Sequence, residues 1–201
     1  MPWKNDVKAI ITGYLGGEAG SKAMVNCLIG KINPSGKLTE TYPLKIEDTP
    51  CYNNFPGTEL SVEYKESIYV GYRYYDKIEK EVLFPFGYGL SYTTFDWKIV
   101  SKNAEDVDGN ISVSVRVTNT GKVAGKDVVE LYYSAPYYKG GIEKSSINLA
   151  DFAKTRLLNP GESQTVTLKL AVEDMASYDY KNNKCYVLEH GDYVISVQTD
   201  S

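Results

Sequence analysis

Apolar and polar positions alternate with period two along most of the second half of the chain. Ile111, Val113, Val115 and Val117 interleave with Ser112, Ser114, Arg116 and Thr118 before the turn Asn119-Thr120-Gly121. Val166, Leu168 and Leu170 alternate with Thr165, Thr167 and Lys169 after Asn159-Pro160-Gly161, and Tyr193, Ile195 and Val197 repeat the pattern after Gly191-Asp192. Such alternation puts one face of a strand in a core and the other in water. Val128 to Tyr133 forms a further, mostly apolar run, and a brief helical stretch fits Val172 to Ala176. Short strands separated by turn signals predict a β-sandwich of about 100 residues.

The first half reads differently. Ala9-Ile10-Ile11 has the character of a strand that enters a glycine-rich turn between Gly13 and Gly20. Ala19, Ala23, Met24, Cys27 and Leu28 then fall on one face of a helix, with Gly30 at its C-cap and Asn33-Pro34-Ser35-Gly36 as the next turn. From Lys37 to Trp97 prolines and glycines interrupt every pattern except one aromatic strand candidate, Ile68 to Tyr75. One strand-helix unit with long loops buries too little surface to stand alone, so this half is expected to leave a broad apolar face uncovered.

Composition narrows the function classes. The chain has 22 Lys and Arg against 26 Asp and Glu, a net charge of -4 shared evenly between the parts before and after Trp97. Neither part carries the basic footprint of a nucleic-acid or anionic-membrane partner. No apolar run approaches the roughly 18–20 residues of a membrane-spanning helix. Cys27, Cys51 and Cys185 are too few and too widely spaced for a disulfide framework or a zinc knuckle. They are read as small buried hydrophobes, a usage that favours a reducing, cytoplasmic setting over a secreted one. The single histidine, His190, precedes the turn Gly191-Asp192 and is read as a surface turn residue. Eighteen tyrosines suit β-structure and surfaces that stack on sugar rings.

Spacing does not expose a catalytic constellation. The Gly13 to Gly20 stretch lacks both the phosphate-loop and the dinucleotide-binding glycine patterns, and no nucleophile elbow is present. Carboxylates are plentiful, but spacing cannot tell which two lie about 5–5.5 Å apart, as a retaining glycosidase requires.

Several long stretches resemble one family. Gly13-Tyr14-Leu15-Gly16-Gly17-Glu18-Ala19-Gly20, Gly30 to Leu38 and Thr41-Tyr42-Pro43 are similar to the end of the C-terminal α/β domain of family 3 glycoside hydrolases. Tyr64 to Asp76 and Phe84 to Phe95 resemble that family's hallmark stretches, although Leu15 stands where the family often has Pro and Ser67 where it often has Gly. Val117 to Gly121, Gly125 to Val129, Leu158 to Ser163 and Gly191-Asp192-Tyr193 resemble the fibronectin type III-like domain that follows. The resemblance implies an α/β remnant over residues 1–97, one strand-helix unit plus long wrapping loops. An all-β immunoglobulin/fibronectin type III-like sandwich over residues 98–201 is expected after it.

It further implies a β-glucosidase-like or β-xylosidase-like retaining enzyme acting on a β-linked oligosaccharide or glycoside. The aspartate nucleophile of such enzymes lies on a barrel domain, and the acid/base glutamate usually lies upstream in the α/β domain. Neither motif is present, so no catalytic residue, substrate ligand or metal ligand is assigned and no cofactor is expected. The partners implied are the missing barrel and the rest of the α/β domain, with the sandwich as a brace. The alternatives are a self-sufficient carbohydrate-binding or adhesion module and a small hydrolase with unrecognised carboxylates. Glu66 and Arg73 are read as structural polar partners; on a straight strand they lie about 23 Å apart on opposite faces. Tyr69, Tyr72, Tyr74 and Tyr75 are expected to pack on neighbouring elements, and Phe86, Tyr88 and Tyr92 at the junction between the two parts. Asn54-Phe55-Pro56-Gly57 is placed near the active-site rim of the full enzyme.

Overall fold

The computed structural model describes residues 1, 3–104 and 109–201. In chain order it comprises α1 (Gly17–Leu28), β1 (Tyr42–Pro43), α2 (Tyr72–Lys77), β2 (Val82–Phe84), β3 (Phe95–Asn103), β4 (Asn110–Asn119), β5 (Val128–Ser134), β6 (Asn148–Lys154), β7 (Ser163–Ala171), β8 (Ser177–Tyr178), β9 (Tyr186–Val187) and β10 (Val194–Gln198). Short 3-10 turns lie at Lys4–Asp6, Ile46–Asp48 and Val172–Met175, the last over the brief helical stretch expected there.

The second half is a sandwich of two antiparallel sheets, ordered β3-β4-β7 and β10-β5-β6. In the first sheet Val113 sits opposite Leu168 and Val115 opposite Val166. In the second, Leu131 sits opposite Val197 and Tyr133 opposite Ile195. Val113, Val115, Val117, Val166, Leu168 and Leu170 meet Val129 and Leu131 in one buried core, closed by Leu158 and Met175. Full burial of each such side chain contributes about 1.5–3 kcal/mol, which makes this core the main source of stability. The first sheet turns Arg116 to solvent and keeps the alternation seen in sequence. β5 breaks it, with Val128 to Tyr132 all buried, because its outer face carries Glu130 and Tyr132 beneath the first half of the chain. A strand covered on both sides has no polar face to show.

The first half forms an α/β remnant with little interior of its own. Among its described residues up to 92, only Asp48, Tyr75 and Gly87 are buried. α1 forms where periodicity placed it, and Gly30, after the C-cap residue Ile29, donates its backbone N–H to the Cys27 carbonyl at 3.0 Å. The apolar side of α1 faces solvent, with Leu28 70% and Ile29 68% exposed. No strand forms over Ala9–Ile11, since no neighbouring strand is there to take its amides. The aromatic run Ile68 to Tyr75 is likewise no strand. Gly71, at φ 58 and ψ -134, breaks the extended path in a region open to glycine, and α2 begins at Tyr72. Tertiary contacts override the strand preference of the tyrosines: Tyr72 packs on Phe86 with ring centroids 4.9 Å apart and on Tyr132 at 6.3 Å.

The total accessible surface of 13206 Å² is the global consequence. A compact monomer of 22.4 kDa exposes roughly 9,400 Å² by the usual size scaling. The excess matches the uncovered apolar face expected of the first half.

Candidate functional site

The chemistry of the molecule concentrates along the seam between the first half and the sandwich. At one end Asn33 bridges three segments: its amide donates to the Ala124 carbonyl at 3.1 Å, while its Oδ1 accepts from the Ser91 hydroxyl and the Tyr92 amide at 3.0 and 2.8 Å. The Tyr92 hydroxyl donates to the Cys27 carbonyl at 2.9 Å and anchors the end of α1. Lys37 and Lys154 tie the same region by donating to the Thr199 and Ser35 carbonyls. In the middle Gly87 approaches so closely that a Cβ there lies 2.5 Å from Glu130 Oε2 and 2.9 Å from the Asp200 Cα. Beneath it Glu130 accepts from the Tyr132 hydroxyl at 2.6 Å. Burial pushes the Glu130 carboxyl up, against the lowering effect of that bond and of Lys37.

At the other end the turn before α2 meets the β5–β6 loop. The Tyr69 hydroxyl donates to the Glu143 carboxylate, and Lys77 lies 3.9 Å from the same carboxylate and 4.0 Å above the Tyr137 ring. The bond from Tyr69 holds the Glu143 carboxyl below its ordinary range, while burial and Glu143 push the Tyr69 hydroxyl up. Behind them the buried Lys144 donates to the Pro136 carbonyl at 2.7 Å and pairs with Glu189. The Tyr72 hydroxyl accepts from the Leu149 amide at 2.8 Å.

The carboxylates held away from water are thus acceptors for the chain's own donors: Asp48 for Lys80, Glu130 for Tyr132, Glu143 for Tyr69, Glu189 for Lys144, and Asp179 for the amides of residues 181–183. Among the described residues Asp76 is the exception. Its Oδ2 is buried without a hydrogen-bond partner, and burial raises its carboxyl to about 6. Arg73, one turn earlier on α2, has a buried Nε without a partner, as does Thr41 Oγ1 beside β1.

Two clefts accompany these groups. One of about 550 Å³ opens between β3 and β10, lined by apolar residues such as Ile99, Ile111 and Ile195 with Lys102, Asn103 and Ser196, and no carboxylate lines it among the described residues. The other, of about 110 Å³, lies in the loop of residues 51–66 and contains Glu63 and Glu66. Its volume is below the roughly 300–1,000 Å³ of small-molecule pockets. Among the described residues no group of three metal-ligating side chains comes together, and no helix is long and apolar enough to cross a membrane.

The residues singled out in sequence fall as follows. Tyr69 and Tyr72 pack on neighbouring elements, Tyr75 is buried, and the Tyr74 and Tyr75 rings meet edge to face at 5.3 Å. Phe86 and Tyr92 lie at the seam, while Tyr88 stacks on Phe84 at 5.1 Å. Glu66 and Arg73 form no ion pair with each other; Glu66 lines the smaller cleft and Arg73 lies 5.9 Å from the Tyr72 ring. Phe55 projects into solvent, and Asn54 is tied to the Glu63 carbonyl. His190 is exposed, its carbonyl accepting from Tyr138 at 2.7 Å. The expectation that all three cysteines are buried is corrected: Cys27 and Cys51 are half-buried and Cys185 is exposed, because no second layer covers the small β8–β9 hairpin. Asn33, Glu130 and Glu143 escaped the sequence reading. A charged residue inside the apolar β5 run was the available signal for Glu130.

Comparison with known proteins decides the family. Residues 1–92 match the glycosyl hydrolase family 3 C-terminal domain, and residues 127–201 match the fibronectin type III-like domain. The chain belongs to the C-terminal part of glycoside hydrolase family 3. It is 45% identical to thermostable beta-glucosidase B of Acetivibrio thermocellus over 205 residues, covering 100% of this chain and 26% of the relative. The beta-glucosidase of Kluyveromyces marxianus superposes with a TM-score of 0.91 at 39% identity over 100% of this chain and 23% of that one. Beta-glucosidase 3B of Thermotoga neapolitana, solved in complex with glucose, gives 0.89 at 42% identity, covering 100% of this chain and 27% of that one. The chain thus spans about a quarter of the length of these family 3 relatives.

Proposed function

We propose that this chain is a non-catalytic portion of a β-glucosidase-like enzyme that cleaves terminal β-glycosidic bonds by a retaining two-carboxylate mechanism. The barrel domain and the remainder of the α/β domain belong to the parent polypeptide and supply the nucleophile and the acid/base. The division between the two parts falls near residue 97, and the fibronectin type III-like sandwich acts as a brace. The exposed loop around Asn54 to Gly57 lies at the rim of the substrate site in the intact protein.

The observation that carries this reading is the surface left open. The chain exposes 13206 Å², and the apolar residues of its first half await cover from the larger body its relatives possess. The commitment of the sheltered carboxylates to internal donors supports the absence of a reacting pair. Incubation of the chain with 4-nitrophenyl β-glucoside is expected to yield no turnover above buffer, while the longer parent polypeptide hydrolyses it. Turnover by the 201-residue chain that disappears on Glu66→Gln or Asp76→Asn substitution overturns the reading.

A further inference from the structure

We propose that β10 is a strand-acceptor edge: the cleft beside it receives one more strand of the sandwich, supplied by the parent polypeptide with apolar and polar residues in alternation. The inference rests on the longer parent of the reading above and adds a piece that the sandwich itself lacks.

A sandwich of two open sheets has four edge strands, here β3 and β7 of one sheet and β10 and β6 of the other. An open edge presents alternate amides and carbonyls without partners, and soluble proteins blunt it with charge, proline or a bulge. Three of these edges follow that rule. β3 carries Asp96, Lys98 and Lys102 and a register shift between Ile99 and Ser101. β6 carries Asp151 and Lys154, and β7 carries Lys169. β10, Val194-Ile195-Ser196-Val197-Gln198, has neither charge nor proline, and it pairs with β5 along its whole length without a shift. Its other side meets no strand among the described residues. An edge so regular and uncharged is suited to pairing rather than to water.

The space next to β10 has the character such a strand needs. The cleft of about 550 Å³ runs between β10 and β3 and reaches the core residues Val113 and Leu131. Ile99, Ile111, Ile195 and Val197 line it, so inward-pointing side chains of an added strand meet an apolar wall. Ser196 and Gln198 alternate with Ile195 and Val197 and bond to each other at 2.8 Å, so outward-pointing side chains meet polar neighbours. Sandwiches of this class comprise about seven strands, whereas the two facing sheets hold three each among the described residues. A small apolar molecule fills the cleft but leaves the β10 backbone unpaired; a strand satisfies both. The relatives are about four times as long as this chain, so polypeptide to supply the strand exists in them.

The test follows hydrogen exchange at the amides of Val194–Gln198 in the 201-residue chain and in the parent polypeptide. The internal reference is Val115 on β4, a strand with neighbours on both sides. In the 201-residue chain alternate β10 amides are expected to exchange at least about a hundredfold faster than Val115, and in the parent within about tenfold of it. Ile99→Phe adds volume to the cleft, which costs stability only where the cleft is already filled. It is expected to accelerate the β10 amides in the parent and to leave them unchanged in the 201-residue chain. Alternate amides that stay fast in the parent mean that the edge is open to water there, and overturn the proposal. Amides already slow in the 201-residue chain overturn it as well, and protection lost on dilution as a dimer dissociates in sedimentation makes a second copy the occupant. Protection in the parent that Ile99→Phe leaves untouched puts the cover outside the cleft, and also overturns it. A parent without β-glucosidase activity defeats the functional reading and leaves this comparison intact.

Discussion

The two halves of this molecule spend similar amounts of apolar side chain and obtain opposite results. In the sandwich Val115, Val117, Val129, Leu131 and Leu168 are wholly buried between two sheets. In the first half Leu15, Leu28, Ile29 and Leu60 stand in solvent. Residue type does not separate them; layering does. A sheet with a second sheet facing it closes its own core, whereas a single helix with loops has nothing opposite its apolar side. The first half meets the sandwich along Asn33, Lys37, Tyr72, Phe86 and Gly87. An apolar surface in one place is thus the source of stability and in the other is left open to solvent.

The strongest way to break this contrast is a matched pair of truncations. Leu131→Ala is expected to cost about 3–4 kcal/mol in urea titration, while Leu28→Ala costs less than about 0.5 kcal/mol. Equal losses mean that α1 has a covered core after all. A middle-sized effect belongs to the seam. Gly87→Ala places a methyl group against the Glu130 carboxylate and the Asp200 backbone at φ 84, and is expected to cost about 2 kcal/mol. A loss below about 0.5 kcal/mol shows that the first half rests only loosely on β5.

The smallest effect is one of pH. Burial raises the Asp76 carboxyl from 3.8 to about 6, so the folded state holds that proton more tightly than the unfolded one. Its favourable contribution is complete below pH 3.8 and is lost as pH rises through 6. Asp76→Asn is therefore expected to be the more stable form at pH 7, by about 1 kcal/mol because the residue as a whole keeps part of its surface in water. The difference fades toward pH 4. Melting curves of both forms across that range check the sign, and a difference that grows on acidification contradicts it.

Legibility followed the same division. Strands β4, β7 and β10 were readable because each has one buried and one wet face, and α1 because its apolar residues share one side. The Ile68 to Tyr75 run was misread because its tyrosines favour strands and the decisive feature was the conformation of Gly71 within it. The missing strand at Ala9 to Ile11 has a related cause: a strand exists only with a neighbour, and none is present. The seam was the least legible part. Asn33, Glu130 and Glu143 meet partners 58, 43 and 74 residues away or more in sequence, at Ser91, Gly87 and Tyr69, and no periodicity encodes such distances.

Local pattern and motif were enough to establish a β-sandwich, a preceding α/β remnant and the family to which both belong. Those properties depend on residues near one another or on stretches read in order. Which side of β5 is covered, which carboxylates are already engaged, and which polar atoms remain unmatched all emerged from folding. Each depends on groups brought together from distant parts of the chain, and burial, which sets their energies, is a property of the assembled layers.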